Sequence, residues 1–485
     1  MQKVWSISGR SIAVSALALA LTACQSMRGP EPVAQANIPE QGYLTASSGP
    51  SIAEQGYKDF FADQRLLQVL DLALANNRDL RTSTLNIQRA QQQYQITQNN
   101  QLPTIGASGS VLRQDTLNTG AMTSYNVGLG VTAYELDFWG RVRSLKDNAL
   151  DTYLATSSAR DATQIALVGQ VAQAWLNYSF ANANLRLADQ TLKAQLESYN
   201  LNRKRFDVGI DSELPVRQAQ ISVETARNDV ANYKTQIAQA QNLLNLLVGQ
   251  AVPANLLPTQ RVTRITSNNA LTAGLPSDLL NNRPDVRAAE YQLSAAGANI
   301  AAAKARLFPT ISLTGNAGYA STSLSDLFKS GGFVWSIGPS IDLPIFDWGT
   351  RQANIKISET DQQIALSDYE KSIQSAFREV NDALAVRQNI GDRLAAQRRL
   401  VDATNTTYRL SNARFRAGID SYLTVLDAQR ASYAAEQGLL LLEQANMNNQ
   451  VEVYKTLGGG IKANTSDAVL QPASTAEQKA ANSTQ

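Results

Sequence analysis

Hydrophobic positions follow a helical spacing over most of this chain and a strand-like alternation over four short runs. The helical spacing is clear at Ile373, Phe377 and Val380, which step by three and four residues, as on one face of an α-helix. The alternation is clear from Tyr125 to Val131, where every second residue is apolar, as in a strand with one covered face. The pattern therefore predicts long helices interrupted by two pairs of strands.

The four predicted strands are each about as long as a tilted strand must be to cross a bilayer, roughly nine to eleven residues. They cover residues 105–113, 124–136, 311–321 and 333–343. A helical stretch precedes each pair, over 66–101 and 277–307. Pro103 and Pro309 end these stretches, because a proline disfavours the helical conformation in the residue before it.

The chain contains two copies of one unit. Motifs recur at an offset of 206 residues as far as Pro309 and of 209 residues from Trp348 onward. The pairs that carry the comparison are Asp79 with Asp285, Pro103 with Pro309, Trp139 with Trp348, Gly209 with Gly418, and Gly249 with Gly458. Such a register over most of the chain predicts an internal tandem repeat, with repeat one over 61–250, a linker over 251–273 and repeat two over 274–460.

After each Trp-Gly motif the helical pattern continues without interruption for a long distance. No proline occurs between Pro103 and Pro215, so residues 141–205 could form one helix of about 100 Å. A break with glycine follows at 207–209 and again at 416–418. Each repeat is therefore predicted to hold a helix, two strands, a long helix and a return helix.

Composition removes most enzyme classes. The chain has no histidine, which is the commonest general base and the commonest metal ligand. The formal net charge is only +2, so no electrostatic argument favours nucleic acid. We therefore predict that this is not an enzyme, with no catalytic residues, no metal site and no cofactor.

The beginning of the sequence has the pattern of a lipoprotein signal. A basic start and an apolar run over 12–21 precede a Leu-Thr-Ala-Cys motif that ends at Cys24, the one cysteine of the chain. These features are typical of a secretory signal peptide, and the motif resembles the bacterial lipobox. An ordinary signal peptide is the alternative. We predict a signal peptide over 1–23, an arm over 24–60 with a covalent lipid on Cys24, and a disordered tail over 461–485.

No apolar run beyond residue 24 approaches the length of a membrane-spanning helix. If the mature chain crosses a membrane, it must do so as a closed β-barrel, because lipid cannot satisfy unpaired backbone groups. Four strands cannot close a barrel. Two copies would give eight strands, which fill their own interior, whereas three would give twelve and begin to leave a lumen.

The sequence resembles the TolC-like outer-membrane factors of tripartite efflux and secretion systems, in the lipoprotein branch typified by OprM. The resemblance rests on the lipobox and on segments 275–280, 283–290, 309–311, 346–349 and 418–430. It implies a mixed α/β membrane protein: a homotrimer with a twelve-stranded β-barrel, continued by a long α-helical barrel that closes at its periplasmic end. The implied partners are outer membrane lipid, a periplasmic adaptor (membrane fusion) protein and an inner-membrane RND transporter. Within this branch, the motifs of the sequence are most similar to those of the channel subunit of a multidrug pump.

The resemblance also implies a periplasmic gate at Leu423, Asp427 and Arg430, where three protomers would place a leucine ring and an aspartate ring near an arginine. The alternative is an ordinary intrahelical Asp427–Arg430 pair, which contributes a few tenths of a kcal/mol. The equivalent positions of repeat one hold Leu214, Gln218 and Ile221. The charged set is therefore confined to repeat two.

Two hairpin turns resemble the tips that dock the adaptor. Their residues are Arg205, Phe206, Gly209 and Asp211 in repeat one, and Arg414, Phe415, Gly418 and Asp420 in repeat two. The alternative is that these residues only form an ordinary turn, in which glycine supplies a permissive backbone. This alternative is compatible with docking, because a turn is needed in either case.

Aromatic residues mark the places where the strands meet the long helices. These are Phe138 and Trp139 in repeat one, and Phe346 and Trp348 in repeat two. They suit a membrane–water interface, and core packing is the competing interpretation.

The function predicted from these features is a passive, gated conduit that exports drugs and small amphiphiles from the periplasm to the exterior. It would be lipid-anchored in the outer membrane, with its helical domain in the periplasm. The alternative is a non-porous structural lipoprotein that spans the periplasm, but such a spacer needs no membrane-length strands.

Overall fold

The computed structural model describes residues 32–34, 55–116, 120–267 and 282–460. The predicted signal peptide, the lipidation site at Cys24 and the C-terminal tail lie outside these ranges.

The described residues form helices and four strands in the order that the sequence predicts. The helices are α1 (Tyr57–Phe60), α2 (Gln64–Asn76), α3 (Arg78–Asn99), α4 (Arg141–Asp207), α5 (Glu213–Val248), α6 (Pro284–Ala305), α7 (Thr350–Arg416) and α8 (Tyr422–Thr456). The strands are β1 (Ile105–Thr116), β2 (Gly120–Glu135), β3 (Thr310–Ser321) and β4 (Phe333–Asp342).

The long helices confirm the prediction made from the proline-free segments. Helices α4 and α7 each contain 67 residues, and each is followed by a break and a return helix. The predicted stripe of apolar residues on α7 is buried at Ile373, Phe377 and Val380, and Val168 and Trp175 are likewise buried on α4.

The single helical stretch predicted over 66–101 is wrong, because the chain breaks at Asn77. Its backbone is extended there. The Asn77 side chain accepts a hydrogen bond from Leu80 N at 2.9 Å and donates one to the Leu247 carbonyl at 2.7 Å. Asparagine favours such local caps over a helix interior, so it ends α2 and starts α3.

The N-terminal arm predicted over 24–60 does not end in an extended conformation. Its last residues form the helical turn α1. Phe60 stacks on Tyr454 with ring centroids 4.4 Å apart, and Phe60 is almost fully buried. The end of the arm is therefore held by aromatic packing.

The described chain divides into two compact units. Of the described residues, one unit comprises 32–34, 85–116, 120–157 and 288–372, and the other comprises 55–84, 158–267, 282–287 and 373–460. Both units draw on both predicted repeats. The boundaries of the compact units therefore do not coincide with the boundaries of the two repeats.

The first unit holds a four-stranded antiparallel sheet in the order β1-β2-β3-β4. Its central pair, β2 with β3, joins a strand of repeat one to a strand of repeat two. One face carries apolar cross-strand pairs such as Ile311 with Ile341, Ala317 with Trp335, and Tyr319 with Phe333. The opposite face carries small and polar pairs such as Ser312 with Ser340, and Asn316 with Ser336. This two-faced alternation is the one predicted from the sequence.

A glycine pair packs the two central strands closely on the polar face. Gly128 lies opposite Gly318, and a Cβ atom on Gly318 would overlap the Val127 carbonyl and lie 2.5 Å from the Gly128 Cα. We expect Gly318→Ala to lower the stability of the sheet by about 1–3 kcal/mol, as for an overpacked core. The thermal midpoint of the purified protein in detergent measures this change.

Gly338→Ala is the matched control, because nothing lies within 4 Å of a Cβ built at Gly338 on the same sheet. Equal midpoints for the two variants would contradict the close-packing argument.

In the second unit the two repeats anchor their return helices in the same way. The carboxamide of Asn77 donates to the Leu247 carbonyl near the end of α5, and the guanidinium of Arg283 donates to the Thr456 carbonyl at the end of α8. A left-handed glycine follows each helix end, Gly249 with φ +78° and Gly458 with φ +103°. We name these contacts the helix-end anchors.

Candidate functional site

The predicted hairpin tips are tight turns closed by backbone hydrogen bonds. At the end of α4, Ile210 N donates to the Arg205 carbonyl at 2.9 Å, and Gly209 has φ +77°. This is the pattern that commonly ends a helix at a left-handed glycine. Gly418, with φ +75°, ends α7 equivalently, so the glycines predicted at both tips are required by the turns.

An ion pair closes each tip. Arg205 Nε lies 2.5 Å from Asp211 Oδ2, and Arg414 holds Asp420 through two hydrogen bonds of 2.6 and 2.9 Å. The hydrogen bond from Arg414 lowers the pKa of the Asp420 carboxyl. This contact is therefore fully present above the ordinary pKa of aspartate and is lost as the pH falls through the lowered value.

The two phenylalanines of the tips have different environments. Phe415 is buried against Tyr422 and Leu426 in a small hydrophobic cluster, and the Arg205 guanidinium lies 5.3 Å from its ring centroid. Phe206 is 39% exposed. Of the predicted tip residues, Phe415 thus belongs to the core that shapes the turn, whereas Phe206 is open to a partner.

The predicted gate residues form one exposed stripe on α8. Leu423, Asp427 and Arg430 are all exposed at spacings of four and three residues, which place them on one helix face. Within the described part of the chain, neither Asp427 nor Arg430 forms an ion pair, so the intrahelical pair considered as the alternative is not present. Both charges remain available for another chain.

Further along α8, hydrogen bonds that the sequence did not predict hold this helix against α5. Tyr433 Oη donates to Asp229 Oδ2 at 3.0 Å, and Gln437 Nε2 donates to Tyr233 Oη at 3.0 Å. Burial, together with the hydrogen bond to Asp229, raises the pKa of Tyr433. Both bonds join residues 204 positions apart, and no local pattern signals such a pairing.

A small polar cavity lies beside these bonds, and its lining includes Arg430, Gln195 and Gln429. The side-chain oxygens of the two glutamines are buried there without a hydrogen-bond partner among the described residues. Buried polar atoms usually have a protein or water partner. Helix α8 therefore packs against polar as well as apolar side chains at this point.

The aromatic residues predicted at the ends of the strands divide into two groups. Trp139 stacks on Phe308 with ring centroids 4.7 Å apart, and its indole N–H donates to the Pro309 carbonyl at 2.8 Å. In contrast, Phe346 and Trp348 meet edge to face at 4.4 Å, and both are largely exposed. Phe138 is also exposed.

Among the described residues, none of the helices combines the length and the hydrophobicity that crossing a bilayer requires.

Comparison with known proteins gives consistent matches over nearly the whole chain. The sequence profile described as outer membrane efflux protein matches residues 69–250 and again 275–459. The probable efflux pump outer membrane protein TtgC of Pseudomonas putida is 43% identical over 434 residues, which are 88% of this chain and 90% of TtgC. The cation efflux system protein CusC of Escherichia coli is 38% identical over 453 residues, 92% of this chain and 98% of CusC.

The fold has an equally close counterpart. The open state of the MtrE outer membrane channel of Neisseria gonorrhoeae superposes with a TM-score of 0.83 at 38% identity, and the match covers 90% of this chain and 98% of MtrE.

The four-stranded sheet, the two long helices with their return helices and these relatives define an efflux protein of the outer membrane. The chain belongs to the outer membrane efflux protein family. Its named relatives are channel and transport proteins, which agrees with the absence of an enzymatic constellation predicted from the sequence.

Proposed function

We propose that this chain is the channel subunit of a tripartite efflux system and acts as a passive, gated conduit from the periplasm to the exterior. The observation that carries the proposal is the sheet of the first unit. It has one apolar face, and its outer strands β1 and β4 each pair on one side only. Unpaired strand edges are not tolerated in lipid. Three copies would close a twelve-stranded β-barrel with a lumen, continued by an α-helical barrel.

In this proposal the stripe of Leu423, Asp427 and Arg430 closes the periplasmic end. It is supported by the exposure of all three side chains and by the lack of an ion pair for the two charges within the described chain. The hairpin tips dock the periplasmic adaptor, and the ion pairs of Arg205 and Arg414 keep the turns in shape for that contact.

The lipid on Cys24 anchors the subunit to the outer membrane, with the helical domain in the periplasm. Acylation contributes roughly 0.8 kcal/mol per buried methylene group, so several chains would add a firm anchor to the barrel.

The proposed cargo consists of drugs and other small amphiphiles. One relative is named as a cation efflux protein and another as a toluene efflux pump protein, although both match this chain over most of its length. Choice of cargo is therefore assigned to the inner-membrane RND transporter, which drives export through the adaptor.

The test is single-channel recording of the purified full-length protein in planar bilayers, with its oligomeric mass measured in the same detergent. We expect a trimer that gives discrete conductance steps. A trimer that inserts without conducting would instead favour the non-porous structural lipoprotein.

A further inference from the structure

The segment that connects β2 to α4 in repeat one packs against the segment that leads into β3 in repeat two. Leu136 N donates to the Ile311 carbonyl at 2.8 Å. Trp139 stacks on Phe308 and donates from its indole to the Pro309 carbonyl at 2.8 Å. Residues after the second strand of one repeat thus contact residues just before and at the start of the first strand of the next. We name this contact the tryptophan junction.

Every residue of the tryptophan junction has an equivalent in the other repeat. These equivalent residues are exposed and make no such contact within the described part of the chain. The residues after β4 that correspond to Leu136 and Trp139 are Ile345 and Trp348. At the start of β1, the residues that correspond to Phe308, Pro309 and Ile311 are Leu102 and Pro103, which precede the strand, and Ile105, which begins it. The four apolar side chains other than proline are exposed by 92% at Ile345, 88% at Trp348, 66% at Leu102 and 71% at Ile105.

The exposed equivalent residues lie at the two outer edges of one sheet. A single chain therefore cannot bring them together as it does the residues beside the inner strands β2 and β3. Trp348 follows β4, whereas Leu102 precedes β1, and these strands are at opposite ends of the order β1-β2-β3-β4. A second copy that placed its β1 beside β4 would repeat the arrangement of β2 with β3. Such head-to-tail contacts build closed rings when the rotation closes.

Trp348 carries a second, independent signal. Its φ is +56°, a left-handed conformation that a residue with a bulky side chain adopts only at an energetic cost. Strained residues of this kind cluster at functional sites, where surrounding contacts hold them in place. Phe346 supplies an edge contact at 4.4 Å, and among the described residues no acceptor receives the Trp348 indole N–H.

We propose that Ile345 and Trp348 bind the Leu102–Pro103–Ile105 segment of a second copy of this chain, in the arrangement of the tryptophan junction. The Trp348 ring covers Leu102 of the second copy, and its indole N–H donates to the carbonyl of Pro103 there. The inference rests on the proposed trimer and deepens it, because it names the residues that lock each protomer to the next.

The first experiment places cysteines at the two surfaces and bridges them with a short bis-maleimide in the full-length protein. The variant Trp348→Cys with Leu102→Cys should give covalent dimers and trimers on denaturing gels. The control Trp139→Cys with Phe308→Cys should give a bridge within one chain and the mass of a monomer. The single variants and the parent with Cys24 alone report background.

A wild-type protein that conducts as a trimer, with no product joining positions 348 and 102 between chains, would overturn the inference and leave the proposed function standing. A wild-type protein that forms no trimer would overturn both.

The second experiment uses Trp348→Gly, which relieves the left-handed backbone while removing the ring. If Trp348 had no partner, this variant would leave trimer stability unchanged or increase it. The proposal predicts the opposite, roughly a tenfold or larger rise in trimer dissociation in detergent, as expected for loss of a buried aromatic contact. Trp348→Phe should restore part of the stability.

Trp335→Ala is the matched control, because Trp335 is also a largely exposed tryptophan and lies on the apolar face of the sheet. If both variants lowered membrane insertion equally and neither changed trimer dissociation, Trp348 would be a lipid-facing residue and the inference would be wrong.

Discussion

Asp427→Ala combined with Arg430→Ala is expected to raise the single-channel conductance of the proposed trimer several-fold. In three protomers the exposed stripe on α8 would bring three carboxylates and three guanidinium groups together. Neither charge has an ion-pair partner within the described chain, so each can pair across the axis. Charge pairs at a few ångströms are strongly favourable where water is partly excluded, and their removal should let the helix ends separate. Planar-bilayer recording measures the change.

Repeat one supplies the control for this gate. Gln218→Ala with Ile221→Ala changes the equivalent positions of α5, which carry no charge, and should leave the conductance near that of the wild type. Exchanging the charges, Asp427→Arg with Arg430→Asp, should restore a low conductance if pairing matters. Equal conductance for wild type and the double alanine variant would place the constriction elsewhere.

The long elements of this fold could be predicted because their signals are repeated over many residues. Helix α4 was expected over 141–205 and spans Arg141–Asp207, since nothing in that segment opposes a helix. The strands were expected from alternation, and the two-faced pairing of β3 with β4 follows from the same period. Glycine marked both hairpin turns for a simple reason, namely that the helix end needs a left-handed residue.

Features that depend on a single distant partner could not be predicted. Asn77 interrupts the helix expected over 66–101 because its side chain reaches the Leu247 carbonyl, 170 residues away in sequence. Phe206 and Phe415 occupy equivalent places in the two repeats, yet only Phe415 is buried, since Tyr422 and its neighbours cover it. Periodicity gives the face of a helix, but the identity of the covering residue comes only from packing.

The candidate gate was located by resemblance, and the structure adds the environment of its residues. The sequence alone gave a spacing of three between Asp427 and Arg430, which is equally compatible with an internal ion pair. Their exposure and lack of such a pair favour a role between chains. The hydrogen bond from Tyr433 to Asp229 shows how the rest of α8 is held while that stripe stays free.

Arg283→Met is expected to lower the free energy of unfolding of the second unit by about 3 kcal/mol. Arg283 is only 8% exposed. It donates to Asp285 at 3.0 and 2.6 Å, to Glu379 at 2.9 Å and to the Thr456 carbonyl at 3.2 Å. Burial opposes the guanidinium charge, but the two carboxylates outweigh it and raise the pKa of Arg283. Methionine would leave Asp285 and the Thr456 carbonyl without this donor, and Glu379 with only the more distant guanidinium of Arg378 at 3.9 Å.

The matched variant Asn77→Ala removes the helix-end anchor of repeat one, where the donor is neutral, and should cost only about 1–2 kcal/mol. Chemical denaturation in detergent compares the two variants. Because the loss at Arg283 comes largely from stranded charge, Glu379→Gln should cost less in the Arg283→Met background than in the wild type, a coupling that a double-mutant cycle isolates. If the losses of stability from Arg283→Met and Glu379→Gln were additive, Arg283 would act through packing alone. The larger loss at Arg283 than at Asn77 would then have a cause other than charge.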